Sequence, residues 1–193
     1  MGYKYQKKDI LKIGYDTIRK NGYHNVGINT ILQNANIPKG SFYNFFASKE
    51  DFAQQVLQFY GENSGKFISE MLSDKRHSPY NRLKNLYREL ISQNEEDQYA
   101  SGCILNNMAN EIGGLNKPLS TVIDKIFMNW MYLLADCIKE GQLLGEIRDD
   151  HSALELAEYI HTGIYGAYSR MKMTHDRLYL DNWFKMTFEF ISS

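Results

Sequence analysis

Between positions 39 and 49 the sequence gathers groups that hydrogen-bond phosphates and base edges. They are the ammonium of Lys39, the hydroxyl of Ser41, the phenol of Tyr43, the amide of Asn44 and a second ammonium at Lys49. Gly40 carries no side chain to keep a phosphate chain from the backbone. A second kind of chemistry belongs to Cys103, which the spacing puts third in a helix over 101–112. A helix dipole there favours the thiolate, which adds to electrophiles or oxidises; a small buried residue is the other reading. A third group, Tyr87, Trp130 and Tyr165 with the polar Asn107 and His161, suits a flat or apolar small-molecule effector. Core packing accounts for the same residue types.

Enzyme chemistry finds little to work with. The five histidines, His24, His77, His151, His161 and His175, show no metal-ligand spacing with one another or with the cysteines. Lys39-Gly40-Ser41 resembles the end of a phosphate loop, but the glycine that should precede it is missing. No nucleophile elbow is present. Neither a cofactor nor a metal is expected. Cys103 and Cys137 are too few for a disulfide framework, and Cys137 reads as core.

The net charge of −1 argues against a polyanion partner until it is divided. Residues 1–60 hold eight basic and four acidic side chains, net +4, and residues 61–193 hold 14 and 19, net −5. A small basic module on an acidic body is the asymmetry of a nucleic-acid reader with a separate second domain. A basic face that is merely solvated, on a helical adaptor binding protein, is the alternative.

These groups need helices to position them. Only three prolines interrupt the chain, and no strand-period alternation competes. Ile10, Leu11, Gly14 and Ile18 form the stripe of a first helix, stopped at Asn21-Gly22. Ile28, Ile31, Leu32 and Ala35 form a second, closed before Pro38. A third covers 39–46 with Phe42 and either Phe45 or Phe46 inward, and Ser48 caps a fourth from Lys49 to Leu72. Further helices are expected over 80–93, 101–112, 118–144, 152–173 and 176–191. The fold class is therefore all-α with about nine helices: a three-helix head over 1–60, containing a helix-turn-helix at about 27–46, and a helical body over 61–193. No apolar run is long enough to span a membrane. The start of the chain lacks an apolar signal core, and Gly2 lacks the Ser or Thr that myristoylation wants at position 6, so a cytoplasmic protein is expected.

The runs Gly22-Tyr23, Ile31-Leu32-Gln33-Asn34-Ala35-Asn36-Ile37-Pro38-Lys39-Gly40-Ser41-Phe42-Tyr43 and Phe46-Ala47-Ser48-Lys49-Glu50-Asp51-Phe52 resemble the DNA-binding domain of the tetracycline-repressor (TetR) family. The wording is most similar to the branch of electrophile- and acrylate-responsive repressors, as is Ser101-Gly102-Cys103-Ile104-Leu105. The resemblance implies a homodimeric transcriptional repressor on a palindromic operator in double-stranded DNA. Lys39, Gly40, Ser41, Tyr43 and Asn44 would lie on the recognition helix, and Tyr43 and Lys49 would meet phosphate. It also implies release by an effector in the C-terminal domain, with Cys103 beside the cavity. Two departures stand out: Gly27-Ile28 replaces a capping hydroxyl, so backbone N–H groups or Thr30 must substitute, and Phe45 replaces a common histidine. Gly163 and Ala167, with Trp183, Phe184 and Phe188, are expected at a dimer interface built as a four-helix bundle.

Overall fold

A computed structural model describes residues 5–193; Gly2 and Lys4, on which the leader and charge arguments touch, lie outside the described residues. Among the described residues there are nine helices: α1 (Lys7–Asn21), α2 (Ile28–Ala35), α3 (Lys39–Tyr43), α4 (Lys49–Leu72), α5 (Pro79–Ser92), α6 (Ile104–Ile112), α7 (Lys117–Leu143), α8 (Ala153–Thr174) and α9 (Leu178–Ile191). The only β pairing among them is an isolated antiparallel bridge between Ile147 and Ser192. The chain packs as two compact units, residues 1–63 with 103–126, and residues 64–102 with 127–193. Helix α6 and the first part of α7 thus pack with the N-terminal three-helix head.

Within the first unit the local signals act where the sequence puts them. Gly22 closes α1 at φ +80°, its N–H donating to Ile18 O at 2.8 Å. Asn36 closes α2 in the left-handed conformation at φ 49°, and Ile37 N–H reaches back to Leu32 O at 3.1 Å. Ser48 Oγ accepts the Asp51 N–H at 3.0 Å, while the Asp51 carboxylate accepts from Ala47 N–H at 2.8 Å, so the box at the start of α4 closes one residue early. The α-helical part of the reading helix is only Lys39–Tyr43; a tight turn carries the chain on, with Phe45 N–H and Phe46 N–H both donating to Phe42 O at 2.9 and 3.0 Å. That turn sends Phe46 inward and leaves Phe45 half-buried.

A core of three aromatic rings holds this short helix. Phe42, Phe46 and Phe52 are buried, with ring centroids 5.0 Å (Phe42 and Phe46), 5.4 Å (Phe42 and Phe52) and 4.8 Å (Phe46 and Phe52) apart. α1 lies against them at Gly14, where a Cβ would stand 2.3 Å from Phe52 Cζ and 2.9 Å from Val56 Cγ2. Thr17 and Asn34 add a hydrogen bond from α2 to α1 at 3.0 Å.

Five expected helix starts are corrected, two of them, α5 and α7, by one residue to Pro79 and Lys117. Helix α6 begins at Ile104 rather than 101, because Gly102 sits at φ +65° and breaks the helical path. Cys103 is consequently the N-cap and not the third residue of the helix. Helix α8 begins at Ala153, with Ser152 outside it as the N-cap of a complete capping box with Glu155. Helix α9 begins at Leu178 rather than Asp176, whose carboxylate instead accepts the Leu178 N–H at 2.8 Å.

In the second unit α8 and α9 form an antiparallel pair. The Trp183 indole of α9 lies over Gly163 of α8, where a Cβ would meet Trp183 Nε1 at 2.6 Å. Tyr80 of α5 donates its hydroxyl to Phe188 O at 2.9 Å, fastening α9 from the other side. Buried Arg82 donates to Leu72 O at 2.6 Å and pairs with Glu140 at 2.8 Å, so its charge is answered.

The Gly14 contact generates a direct expectation. Gly14→Ala should lower stability by about 1–3 kcal/mol, because Phe52 is a rigid ring among other rings and cannot yield as a flexible chain would. Thermal unfolding followed by circular dichroism measures it, and an unchanged melting temperature would contradict the tight packing described.

Candidate nucleic-acid interface and effector cluster

The buried face of α3 consists of Phe42, and the opposite face meets solvent. Lys39, Gly40 and Asn44 are exposed, Tyr43 is 46% exposed, and Ser41 is half-buried. Nothing lies within 4 Å of a Cβ built on Gly40, which leaves its backbone open to an approaching chain. Thr30 is half-buried on the first turn of α2, and the preceding Gly27 is the N-cap of that helix, with no side-chain cap of its own. Five of the predicted contact residues therefore share one short helix and its C-cap, with Thr30 on the helix before it.

Lys49 opens α4 and is not simply waving in solvent. Its Nζ stands 4.3 Å from the centroid of the Tyr23 ring, a cation–π arrangement that fixes where the ammonium sits. Burial pulls its pKa below the usual lysine value, opposed by the field of Glu111. Tyr23 is buried in the α1–α2 turn, and burial, with the charge of Glu50, raises its phenol. Charge, ring and turn are thus a single local arrangement.

The residues expected to meet a small molecule divide between the two packing units. Cys103 and Asn107 lie at the start of α6, where Cys103 O accepts the Asn107 N–H at 3.0 Å. Tyr87, Trp130, His161 and Tyr165 belong to the other unit, where Trp130, His161 and Tyr165 share one set of rings with Phe127 and Tyr87 belongs to another with Trp183 and Phe188. Tyr165 Oη and His161 Nε2 share a 2.6 Å hydrogen bond, and the Phe127 ring centroid stands 5.1 Å from that of His161 and 5.5 Å from that of Tyr165. Trp130 is 6.0 Å from His161. Burial pulls the His161 pKa down to about 3, so the imidazole is neutral at ordinary pH and able to accept a hydrogen bond from the Tyr165 hydroxyl. Tyr87, buried, has its phenol pushed well up and meets Trp183 edge-on at 5.1 Å. Trp183 Nε1 is buried without a hydrogen-bond partner among the described residues.

The residues predicted for a dimer interface sit unevenly. Phe188 and Ala167 are buried within the subunit, Gly163 is covered by Trp183, and Trp183 and Phe184 are half-buried. The apolar side chains that α8 and α9 leave outward are Leu154, Tyr159, Met173, Leu178, Met186 and Phe190. Glu111 and Asn116 are features of the head that sequence reasoning gave no role, and Tyr23 entered it only in the Gly22-Tyr23 run; the ties of Glu111 to Tyr23 and of Asn116 to Glu50 span 88 and 66 residues.

Comparison with known proteins follows this geometry. Residues 10–56 match the family described as bacterial regulatory proteins, tetR family, and residues 79–186 match the tetracyclin repressor-like C-terminal domain. The chain is 33% identical over 183 residues to the HTH-type transcriptional repressor DhaR of Mycobacterium sp. strain GP1, covering 95% of this chain and 90% of that protein. The chain belongs to the TetR family. It is 28% identical to the transcriptional regulator AcuR of Cereibacter sphaeroides, over 86% of this chain and 76% of that one. The solved structure of a regulatory protein TetR from Rhodobacter sphaeroides superposes with a TM-score of 0.91 at 26% identity, covering 95% of this chain and 97% of that one. As a TetR-family member the chain is a transcriptional regulator rather than an enzyme. No described helix is long and apolar enough to cross a membrane.

The two thiols of this TetR-family chain differ in setting. Cys137 is buried, its Sγ 3.5 Å from Pro79 O, and burial pushes its pKa up to about 11, whereas Cys103 is half-buried at a helix start. At pH 8 a limiting amount of N-ethylmaleimide should label Cys103 at least tenfold faster than Cys137 in the native protein. Peptide mass spectrometry reads the ratio, and equal labelling would contradict the protected environment of Cys137.

Proposed function

We propose that this TetR-family regulator is a cytoplasmic, ligand-responsive repressor that binds a palindromic operator as a homodimer, one reading head per half-site. The supporting observation is the division of α3: Phe42 is buried, while Lys39, Gly40, Tyr43 and Asn44 are presented to solvent on the other side. Functionally the chain divides into a DNA-binding head, residues 1–60, and an effector-binding and dimerisation domain, residues 61–193. Asn44 and Lys39 read base edges, Ser41, Tyr43, Gly40 and Thr30 meet phosphate and sugar, and Lys49 neutralises a phosphate at the start of α4. Two-fold symmetry then gives a two-fold operator.

The aromatic set around His161 and Tyr165 is the proposed effector region. Its groups are neutral and its donors few, which suits an uncharged, flat small molecule. Tyr87, Trp130, His161 and Tyr165 are its members. Cys103, with Asn107 one turn along α6, is the position for covalent capture: its thiolate would add to an electrophilic carbon and form a thioether. The dimer is proposed to form through α8 and α9, where Tyr159, Met186 and Phe190 stand outward; beneath them Gly163 and Trp183 join the two helices, Ala167 is buried, and Phe184 and Phe188 pack on Arg88, Tyr80 and Tyr87 of α5. DhaR is named a transcriptional repressor, which supports the sign of regulation proposed here.

The test separates the two kinds of DNA contact. From a random duplex pool the protein should select a two-fold sequence. Lys49→Ala should weaken that operator and unrelated duplexes by a similar factor, on the order of tenfold, because a phosphate contact carries no sequence information. Asn44→Ala should change which sequence is selected and leave unrelated duplexes bound as before. Failure to select any operator, or an Asn44→Ala effect equal on all duplexes, would overturn it.

A further inference from the structure

The structure assigns to Glu111 of α6 the job of positioning the reading head, an inference that rests on the DNA-binding function proposed above. Its carboxylate accepts two successive backbone N–H groups of the α1–α2 turn, from Tyr23 to Oε1 at 3.2 Å and from His24 to Oε2 at 3.0 Å. The turn is shaped to receive it. Gly22 is at φ +80°, and any Cβ there would stand 2.6 Å from Glu111 Oε1, so glycine both makes the turn and seats the carboxylate. Charge-assisted bonds of this kind are about twice as strong as neutral ones.

A second tie lies just beyond α6. The amide of Asn116 donates to Glu50 Oε2 at 2.6 Å while its oxygen accepts the Leu119 N–H at 2.9 Å. Asn116 therefore starts α7 and holds the first turn of α4 with the same side chain. Between the two ties lies the Lys49 ammonium over the Tyr23 ring. The last turn of α6 and the residue before α7 thus hold both segments flanking the proposed phosphate contact.

Electrostatics makes the assignment sharper. A carboxylate close to a phosphate-binding lysine opposes DNA, since it repels phosphate and offsets the lysine charge. Glu111 stands in the basic head in spite of that repulsion. What it contributes is geometry: it fixes the turn, and through Tyr23 the lysine, relative to α6. Removing it should therefore separate two quantities that a merely structural residue would lower together. Unrelated duplexes should be bound as tightly as before or more tightly, while the preference for the operator should fall.

The experiment uses the full-length protein and the operator it selects from a random duplex pool. For Glu111→Ala, the ratio of operator affinity to random-duplex affinity should drop at least tenfold, with random-duplex affinity held or raised. Glu111→Gln keeps the shape of the side chain but offers one acceptor oxygen to two donors. It should lose at least threefold of the same ratio, and it serves where the alanine variant does not fold. An unchanged ratio, or equal losses on operator and random duplex, would overturn the assignment. Should the wild-type protein select no operator, the proposed function fails, a result distinct from either.

Discussion

A helix of five residues has no stability of its own, because the cost of its first turn is not recovered over so short a length. Helix α3 exists because Phe42 is clamped between Phe46 and Phe52, in a core tight enough that α1 must present glycine at position 14. Everything at the proposed DNA face follows from that clamp. The turn after Tyr43 rotates Phe46 inward, Asn44 is left at the exposed C-cap, and Phe52 fixes the register of α4, whose first residue is Lys49. A rigid platform of this kind allows side chains to be held at a fixed spacing against a duplex.

The platform is joined at its other side by polar ties instead of rings. Glu111 and Asn116 grip the α1–α2 turn and the start of α4 with hydrogen bonds to backbone N–H groups and a carboxylate. Helix α6 therefore packs with the head although it lies more than forty residues beyond α4's first unit segment in the chain. The net charges of +4 and −5 describe residues 1–60 and 61–193, and the packing adds that an acidic side chain from the second of these is built into the first.

Much of this was legible in the sequence for local reasons. Gly22, Asn36, Pro38 and Ser48 each act on backbone within a few residues, so their effects on helix ends follow from residue type alone. The TetR resemblance rests on the same stretch. The start of α6 was misplaced because Gly102 reads equally as a helical residue or a breaker, and only its positive φ decides. Phe45 and Phe46 are equivalent by periodicity; the tight turn after α3 selects Phe46. Gly163 suggested close approach of two helices, and its partner within the subunit is Trp183. Glu111 and the tie from Asn116 to Glu50 left no trace, since those bonds span 88 and 66 residues and obey no spacing rule; only the Asn116 cap on Leu119 is local.

The central claim is that this basic head docks on the phosphate backbone of double-stranded DNA, and salt dependence tests it most directly. Affinity for a random-sequence duplex should fall linearly on a double-logarithmic plot against salt concentration. Two heads, each neutralising phosphates through Lys39 and Lys49, give a slope of about −4. A slope near zero, or no binding to duplex at low salt, would contradict the account.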